Sequence, residues 1–438
     1  MITALRGPLA YCTDDPFLAG ARAFRYESDG LLVCRDGILE AVGAHRALHQ
    51  RLPRDCAVAD FSDCLIVPGF VDTHVHYVQT GIIGAHGRQL LDWLERYTFP
   101  AELAFADPDE ARRTAAVFCD ELLRHGTTAA LVFCSVHPGS VDAIFEQASK
   151  RNMLLIAGKV LMDRNAPERL RDTAQSGYDL SKALLRKWHK SGRCRYAITP
   201  RFAATSTPEQ LELAGALWSE YPDAHLHTHI AENRNEIAWV RELFPERADY
   251  LDVYSHYGLT GRRAVLAHGI HLDESALCRC HESGTALSHC PSSNLFLGSG
   301  LFRMRQARDP RRPVEVGLGT DIGAGTSFSL LSTMGEAYKV SQMADAPIGA
   351  VEAFYLATLG GARALDLADR IGTFAPGKDA DIAVLDPRAT PLLAFRTGRA
   401  ADIEEILAVL MTLGDDRCVR ATYVAGALVH ERDRPAGR

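Results

Sequence analysis

Pro68-Gly69-Phe70-Val71-Asp72-Thr73-His74-Val75-His76 follows directly on the apolar run Leu65-Ile66-Val67. An apolar run that ends in polar residues is typical of a buried strand. Successive side chains on a strand alternate between its two faces, so His74 and His76 point to one side and Val75 to the other. Two imidazoles placed in this way suit a single metal ion, but they could equally form hydrogen bonds with neighbouring groups. The pair alone favours neither interpretation.

The composition is that of an ordinary globular protein. Of the 438 residues, 47% are hydrophobic and 24% are charged, and the net charge is -7. Because dense basic sequence is confined to the short stretch 303–312, we expect a small neutral substrate and no nucleic-acid partner. Residues 1–7 lack the long apolar segment of a signal peptide, and no apolar run approaches the length that crosses a bilayer. We therefore expect no membrane partner and a cytoplasmic location.

The 11 cysteines are scattered and odd in number. In a chain without an export signal this pattern predicts reduced thiols rather than a disulfide framework. Cys278-Arg279-Cys280-His281 is the one tight cluster, and it could be a thiolate metal site. No second cysteine pair at zinc-finger spacing accompanies it, and it lies within a helical pattern, so ordinary packing is the favoured interpretation.

Strand patterns separated by long helical stretches follow the His-x-His segment. The strand that ends at His76 is the first, and seven further strands are predicted at 128–133, 154–158, 195–198, 224–230, 264–268, 285–289 and 315–321. The first clear helix has Asp107 as its N-cap, Pro108 at its first position and Glu110 three residues after the cap, and it ends near His125. Eight alternating units predict an α/β fold, a (β/α)8 TIM-like barrel, rather than a doubly wound sheet.

Short β patterns flank the barrel at both ends of the chain. Strand signals with polar turns lie at 23–26, 30–34 and 37–43, and β signals return at 380–385 and 419–429. We predict that residues 1–66 and 371–438 together form a small β-sandwich domain. Residues 67–370 would form the metal-dependent catalytic barrel.

Polar residues recur where the barrel strands are predicted to end, which is where such barrels carry their catalytic groups. His74 and His76 end the first strand, His229 ends the fifth, His268 the sixth and Asp321 the eighth. A single strand-end histidine is more often structural, but five such residues together indicate a metal site. Imidazoles and a carboxylate are ligands suited to Zn²⁺, and three or four of them leave a position for water.

Two further polar residues have open roles at this stage. Glu232 follows His229 by three residues, so its carboxylate could face a metal-bound water, or it could be an early helix residue near the positive end of the helix dipole. His289 ends the seventh strand and could be structural or could touch the substrate. We interpret His289 as structural.

Six motifs lie along nearly the whole chain: Pro-Gly-Phe-Val-Asp-Thr-His-Val-His at 68–76, His-Thr-His-Ile-Ala-Glu at 227–232, Ala-His-Gly at 267–269, His-Cys-Pro-Ser-Ser-Asn at 289–294, Gly-Thr-Asp at 319–321 and Pro-Gly-Lys-Asp-Ala-Asp at 376–381. Together they resemble the amidohydrolase superfamily. Within it, Gln79, the stretch 90–102 and Thr-Pro-Arg-Phe at 199–202 resemble the guanine deaminase family. These features are more specific than the metal motif, which cytosine deaminases and chlorohydrolases share.

The resemblance implies one zinc ion per subunit, with the ligands His74, His76, His229 and Asp321, and with His268 beside the bound water. Binuclear relatives bridge two metals through a carboxylated lysine late in the third or fourth strand. Lys159 follows the third strand here, and we interpret it as structural.

The resemblance also implies hydrolysis of guanine to xanthine and ammonia. Glu232 would carry protons to a ring nitrogen and to the departing amine. Asp321 would take the proton of the attacking water, and His268 would orient that water. The substrate contacts that it implies are Gln79, Leu91, Trp93, Arg201, Phe202, His229 and Glu232. A homodimer follows from the resemblance alone, and residues 80–102 are predicted to form a loop over the pocket.

Two other functions remain open on the sequence. The same fold and metal could serve a deaminase or chlorohydrolase for another aminated heterocycle, such as cytosine or a triazine. The chain could also be a non-catalytic interaction protein that kept the barrel, although retention of all the ligands argues against this. The cytidine-type zinc deaminases are set aside, because their His-x-Glu and Pro-Cys-x-x-Cys elements are absent.

Overall fold

The structure is a computed structural model that describes residues 2–53, 56–86 and 89–432. Residues 1, 54–55 and 433–438 of the predicted β-domain, and residues 87–88 of the predicted 80–102 loop, lie outside the described residues.

Strands occur in three groups along the described chain. The first group is β1 (Ile2–Cys12), β2 (Phe24–Arg35), β3 (Ile38–Ala44), β4 (Val58–Asp60) and β5 (Leu65–Pro68). The second is β6 (Phe70–His76), β7 (Thr127–Phe133), β8 (Leu154–Gly158), β9 (Val160–Leu161), β10 (Arg195–Pro200), β11 (His225–Ile230), β12 (Ala264–His268), β13 (Ala286–His289) and β14 (Val316–Leu318). The third is β15 (Ile382–Leu385), β16 (Val419–Val424) and β17 (Ala427–Glu431).

The second group forms the predicted barrel. Its parallel strands follow the order β6-β7-β8-β10-β11-β12-β13-β14, and the short β9 pairs with β10. Backbone hydrogen bonds link the two ends of this path, because the Asp321 N–H donates to the His74 carbonyl at 2.9 Å and the His76 N–H donates to the Ile322 carbonyl at 3.0 Å. Strands such as β7 and β8 are buried along their whole length, as expected when helices cover a parallel sheet. The predicted (β/α)8 class is confirmed.

Strands from both chain ends form one mixed sheet in the order β17-β16-β15-β5-β1-β2-β3, with β4 paired to β1. The predicted contribution of both ends to a small β-domain is therefore confirmed. The boundaries at 66–67 and 370–371 stay predictions, and Leu65–Pro68, which belongs to the mixed sheet, lies across the first of them. The sequence prediction missed β1, because Gly7 and Pro8 interrupt its apolar pattern and mark a register shift within it.

Most of the helices lie outside the barrel strands, whereas the short helix His45–Leu48 packs against β2 and β3 of the mixed sheet. The longer ones are Pro108–Arg124, Pro138–Lys150, Ala174–Trp188, Pro208–Glu220, Arg234–Leu243, Glu274–Ser283, Leu330–Met343 and Ile403–Leu413. The shorter ones are Pro16–Ala19, His45–Leu48, Leu90–Trp93, Phe99–Leu103, Tyr250–His256, Pro291–Phe296, Met304–Ala307, Ala350–Leu356, Leu359–Ala364 and Pro391–Thr397, and Leu94–Thr98 is a π-helix. The predicted cap is confirmed, since Oδ1 of Asp107 accepts a hydrogen bond from the Asp109 N–H at 2.9 Å.

Three local predictions were wrong. The predicted loop at 80–102 is largely helical over its described part, because Leu90, Trp93 and Leu94 recur at helical spacing and are buried. The prediction of β structure after residue 371 missed two helices, Pro391–Thr397 and Ile403–Leu413. Asp402 at the N-cap and Glu405 three residues later are a recognisable signal for the start of the second helix. The single β run at 419–429 is a hairpin, turned by Ala425 and Gly426 at φ +44° and +74°.

All 11 cysteines are free, as predicted, and the side chains at 278–281 pack separately. Cys280 is buried, Cys278 is half-buried, and Nδ1 of His281 lies 2.7 Å from the Pro313 carbonyl oxygen. These side chains do not converge on one point, as expected for ordinary packing. Among the described residues, no helix combines the length and the apolar character needed to cross a bilayer.

Candidate active site

Four predicted ligands meet at the C-terminal rim of the barrel. Nε2 of His76 lies 3.3 Å from Nε2 of His74 and 3.2 Å from Nε2 of His229. Oδ1 of Asp321 lies 3.2 Å from Nε2 of His74 and 3.5 Å from Nε2 of His76. The structure therefore brings side chains from β6, β11 and the segment after β14 to a single point.

These distances fit a bound divalent ion. Tetrahedral bonds of about 2.0–2.1 Å place neighbouring ligand atoms about 3.3 Å apart. Nδ1 of His229 lies 2.7 Å from the Arg201 carbonyl oxygen and must donate to it, so the lone pair of Nε2 faces the cluster. Nδ1 of His74 is likewise engaged, at 2.7 Å from Nε2 of His227. The donor set and its orientation are those of a metal centre.

Asp72 ties the two chain segments of this centre together. Its Oδ1 accepts hydrogen bonds from the backbone N–H of His74 at 3.2 Å and of Thr320 at 3.1 Å, and its Oδ2 accepts from the Thr320 hydroxyl. Complete burial raises the pKa of Asp72 to about 7. Asp321 lies three residues after the end of β14 and has a left-handed φ of +51°, and its carboxylate faces His74 and His76.

His268 lies between two carboxylates. Its Nε2 is 3.4 Å from Oε2 of Glu232 and 3.8 Å from Oδ2 of Asp321, and its Nδ1 is 2.9 Å from Oδ1 of Asn294. Burial raises the pKa of Glu232 to about 7. Burial alone would also raise the pKa of Asp321, but the neighbouring His74 and His268 bring it below its ordinary value. Two carboxyl groups with pKa values shifted in opposite directions suit opposite roles in proton transfer.

A cavity opens beside this cluster. Its lining includes the predicted residues Gln79, Trp93, Arg201, Phe202, His229 and Glu232, together with His76, Leu90, Leu94, Glu236, His268, Ser293, Leu297, Asp321 and Ala324. The predicted contact Leu91 does not line it. Leu90, Trp93 and Leu94 occupy positions i, i+3 and i+4, which share one helix face, and Leu91 falls off that face.

Part of the cavity wall is polar. Nη1 of Arg201 donates to both carboxylate oxygens of Glu102 at 2.8 Å, and Nε2 of Gln79 donates to Oε1 of Glu102 at 3.1 Å. The Gly323 N–H donates to Oε1 of Gln79 at 3.2 Å. A guanidinium and an amide are thus held at one wall of the cavity.

The contacts of Lys159 and His289 are those expected of structural residues, and the structural role of both stays a prediction. Nζ of Lys159 is paired with Asp172 and donates to the Val160 carbonyl at 3.1 Å, so it is engaged outside the cluster. The ring of His289 stacks on Phe302 with centroids 4.6 Å apart, and burial lowers the pKa of His289 to about 3.

Sequence reasoning missed several residues that support the site. Glu236 accepts hydrogen bonds from the N–H groups of Glu232 and Asn233 at 2.9 and 3.0 Å, and its position three residues after the N-cap Asn233 is a signal that could have found it. The Ser299 hydroxyl donates to Glu232 at 3.3 Å, and no sequence pattern singles it out.

Comparison with protein-family models matches residues 65–429 to the amidohydrolase family. The chain belongs to the amidohydrolase family. This amidohydrolase is 53% identical over 413 residues to the guanine deaminase of Escherichia coli strain K12, a match that covers 94% of each chain. It is similar to the solved structure of E. coli guanine deaminase, with a TM-score of 0.96, 52% identity, and coverage of 98% of this chain and 100% of the other. It is also similar to guanine deaminase from C. acetobutylicum solved with guanine in the active site, with a TM-score of 0.89, 28% identity, and coverage of 98% and 100%. The predicted resemblance is confirmed.

Proposed function

We propose that this amidohydrolase deaminates guanine to xanthine and ammonia, with water as the second substrate. The observation that carries the proposal is that one cavity joins the histidine–aspartate cluster to a wall bearing Arg201 and Gln79. Guanine presents O6 and N7 acceptors on one edge, and the fork of a guanidinium can meet both. Relatives that are named guanine deaminases support the same assignment.

We further propose that the native metal is zinc, one ion per chain, held by His74, His76, His229 and Asp321. When bound, Zn²⁺ supplies Lewis-acid chemistry and makes water nucleophilic near neutral pH. Elemental analysis of the purified protein tests both the identity and the stoichiometry. A homodimer remains part of the proposal, and light scattering in solution tests it.

The residues around the cluster divide the proton transfers between them. Addition of water at C2 of guanine forms a C–O bond, and departure of the exocyclic amine breaks the C–N bond. Asp321, held ionised by its neighbours, accepts the proton of the attacking water. Glu232, whose pKa is about 7, gives a proton to a ring nitrogen, takes up the remaining proton of the added hydroxyl and carries it to the leaving amine. The proton that Asp321 took from the water then returns to Glu232, which restores both carboxyl groups. His268 lies within 3.8 Å of both carboxylates, where it orients the water.

The remaining cavity residues orient the purine. Arg201 faces the edge that carries O6 and N7, and the amide of Gln79 offers both a donor and an acceptor. The buried rings of Phe202 and Trp93 line the cavity and give the flat base an apolar surface. His229 serves as a ligand and also borders the substrate.

The test is to incubate purified, zinc-loaded protein with guanine, adenine, cytosine and an aminated triazine, and to measure ammonia together with the purine product. We expect ammonia and xanthine from guanine, with kcat/KM at least about a hundredfold above that of each other base, because unmatched polar groups in the cavity penalise the wrong edge. A preference for cytosine or the triazine would favour the other-heterocycle function. Ammonia from none of them would favour a non-catalytic protein.

A further inference from the structure

We propose that Glu102 is a positioning residue that fixes the purine-recognition wall and neutralises it, so that the cavity accepts a neutral base and disfavours an anionic one. The inference rests on the proposed function and deepens it. Glu102 itself does not line the cavity and therefore acts through the two side chains that do.

The contacts of Glu102 are directed at the recognition wall. Its side chain is 0% exposed, and both carboxylate oxygens lie 2.8 Å from Nη1 of Arg201. Oε1 also accepts a hydrogen bond from Nε2 of Gln79 at 3.1 Å. One buried carboxylate thus holds two cavity side chains that come from separate segments of the chain, after β6 and after β10.

Glu102 lies on the short helix Phe99–Leu103, which places its carboxylate beside Arg201 and Gln79. Phe99 and Glu102 are three residues apart and lie on the same helix face. The ring centroid of Phe99 is 5.7 Å from the guanidinium carbon of Arg201. The helix therefore fixes Arg201 both through an ion pair and through an aromatic contact.

These hydrogen bonds decide which groups remain for a ligand. Nε2 of Gln79 donates to Glu102 while its Oε1 accepts from the Gly323 N–H, so the amide has one orientation. In the described part of the chain, Arg201 donates side-chain hydrogen bonds through Nη1 alone. The donors on Nη2 and Nε are left for the substrate edge.

The charge of Glu102 matters as much as its contacts. Arg201 is buried, and Glu102 is its ion-pair partner. Beside a divalent ion, an unpaired buried guanidinium would attract an anion strongly. The paired carboxylate removes that attraction, so a neutral purine binds without having to supply a counter-charge.

The test compares Glu102→Gln and Glu102→Asp with the wild-type holoenzyme. Glu102→Gln keeps the size but loses the charge, and Glu102→Asp keeps the charge but shortens the reach. The kinetic measurements are kcat and KM for guanine and inhibition by urate, which is a purine anion at neutral pH. Binding of both purines is followed by quenching of the intrinsic tryptophan fluorescence, to which Trp93 in the cavity contributes. Metal content and thermal unfolding are measured on the same preparations. Asp172→Asn is the matched control, because it breaks a buried ion pair with Lys159 outside the cavity.

We expect both Glu102 variants to keep the metal and to raise KM for guanine, on the order of a hundredfold for Glu102→Gln, with a smaller change in kcat. The ratio of the urate inhibition constant to the KM for guanine, called the urate-to-guanine ratio, should fall about tenfold in Glu102→Gln. Glu102→Asp should keep the wild-type ratio, because it keeps the charge. Adding Glu102→Gln to Arg201→Gln should change KM little further, since Glu102 acts through Arg201.

An unchanged KM and an unchanged urate-to-guanine ratio in Glu102→Gln would overturn the inference, as would the same changes in Asp172→Asn. If Glu102→Gln unfolds, Glu102→Asp decides: a raised KM for guanine with the wild-type urate-to-guanine ratio supports the inference, and an unchanged KM overturns it. Fluorescence separates the two proposals. If wild-type protein binds guanine in a Glu102-dependent way without releasing ammonia, the proposed function fails and this inference stands.

Discussion

Nε2 of His76 and Nε2 of His229 lie 3.2 Å apart, although 153 positions separate the two residues in the chain. At this distance, two imidazole nitrogens must share either a proton or a cation. Nδ1 of His229 already carries its proton toward the Arg201 carbonyl, and Nε2 of His74 lies a further 3.3 Å from Nε2 of His76. Three ring nitrogens cannot share one proton, so this contact supports a metal ion at the centre of the site.

Replacing His229 by Ala should lower the metal content of the purified protein well below one ion per chain and abolish ammonia release. The site would lose one nitrogen ligand and retain two imidazoles and one carboxylate. Metal bound to the folded state also stabilises it, so chelation should lower the Tm of the wild type more than that of the variant. His256→Ala is the control, since this histidine is exposed and does not line the cavity. Full metal content in His229→Ala would show that the ligand set is wrong.

Replacing Glu232 by Gln should leave the metal content intact and reduce kcat by roughly 10²–10⁴-fold, because the amide keeps the shape but cannot carry a proton. The matched control is Glu212→Gln, which changes an exposed glutamate on a barrel helix. Steady-state kinetics and elemental analysis on the same preparations check both expectations. A Glu232→Gln enzyme with wild-type kcat would rule out the proton-transfer role.

The pKa of Glu232 also predicts a pH dependence of stability in the metal-free protein. The folded pKa is about 7 and the ordinary value is 4.5, so the folded state binds more protons between these limits. The contribution of Glu232 to stability is therefore fully present below about pH 4.5 and is lost as the pH rises through about 7. Denaturant unfolding should show Glu232→Gln gaining stability relative to wild type across this window and levelling off above it. A difference that stays constant with pH would contradict this.

Arg201→Ala should raise KM for guanine by about a hundredfold and weaken discrimination between bases, with the metal content unchanged. Arg201→Lys should recover only part of the loss, because an ammonium cannot form the two parallel bonds of a guanidinium. Arg241→Ala, at an exposed position, serves as the control. Unaltered guanine kinetics in Arg201→Ala would remove Arg201 from substrate recognition.

Lys159→Met tests whether a second metal is involved. The substitution leaves Asp172 without its buried partner, so we expect a loss of stability of about 3–5 kcal/mol with unchanged metal stoichiometry. Denaturant unfolding and elemental analysis give the two values. A fall from two ions to one would show that Lys159 bridges metals.

The sequence was informative where one rule constrains many residues. Parallel strands bring their C-terminal ends to one rim, so His74, His229 and Asp321 could be predicted to meet without any knowledge of distance. Contacts that depend on side-chain orientation could not be predicted. Leu91 was predicted from its position in a motif, but its position on the helix puts it outside the cavity lining. Glu102 belongs to the same motif, and the sequence does not indicate its partner, because Arg201 is 99 residues away in the chain.

The central claim is that the rim cluster holds an ion needed to deaminate guanine. The most direct measurement is the rate of xanthine formation from guanine by wild-type protein as purified, after removal of metal by a chelator, and after addition of one equivalent of Zn²⁺. We predict activity as purified, loss of activity on chelation, and recovery with a single equivalent. Xanthine formation that persists in fully metal-free protein would contradict this account.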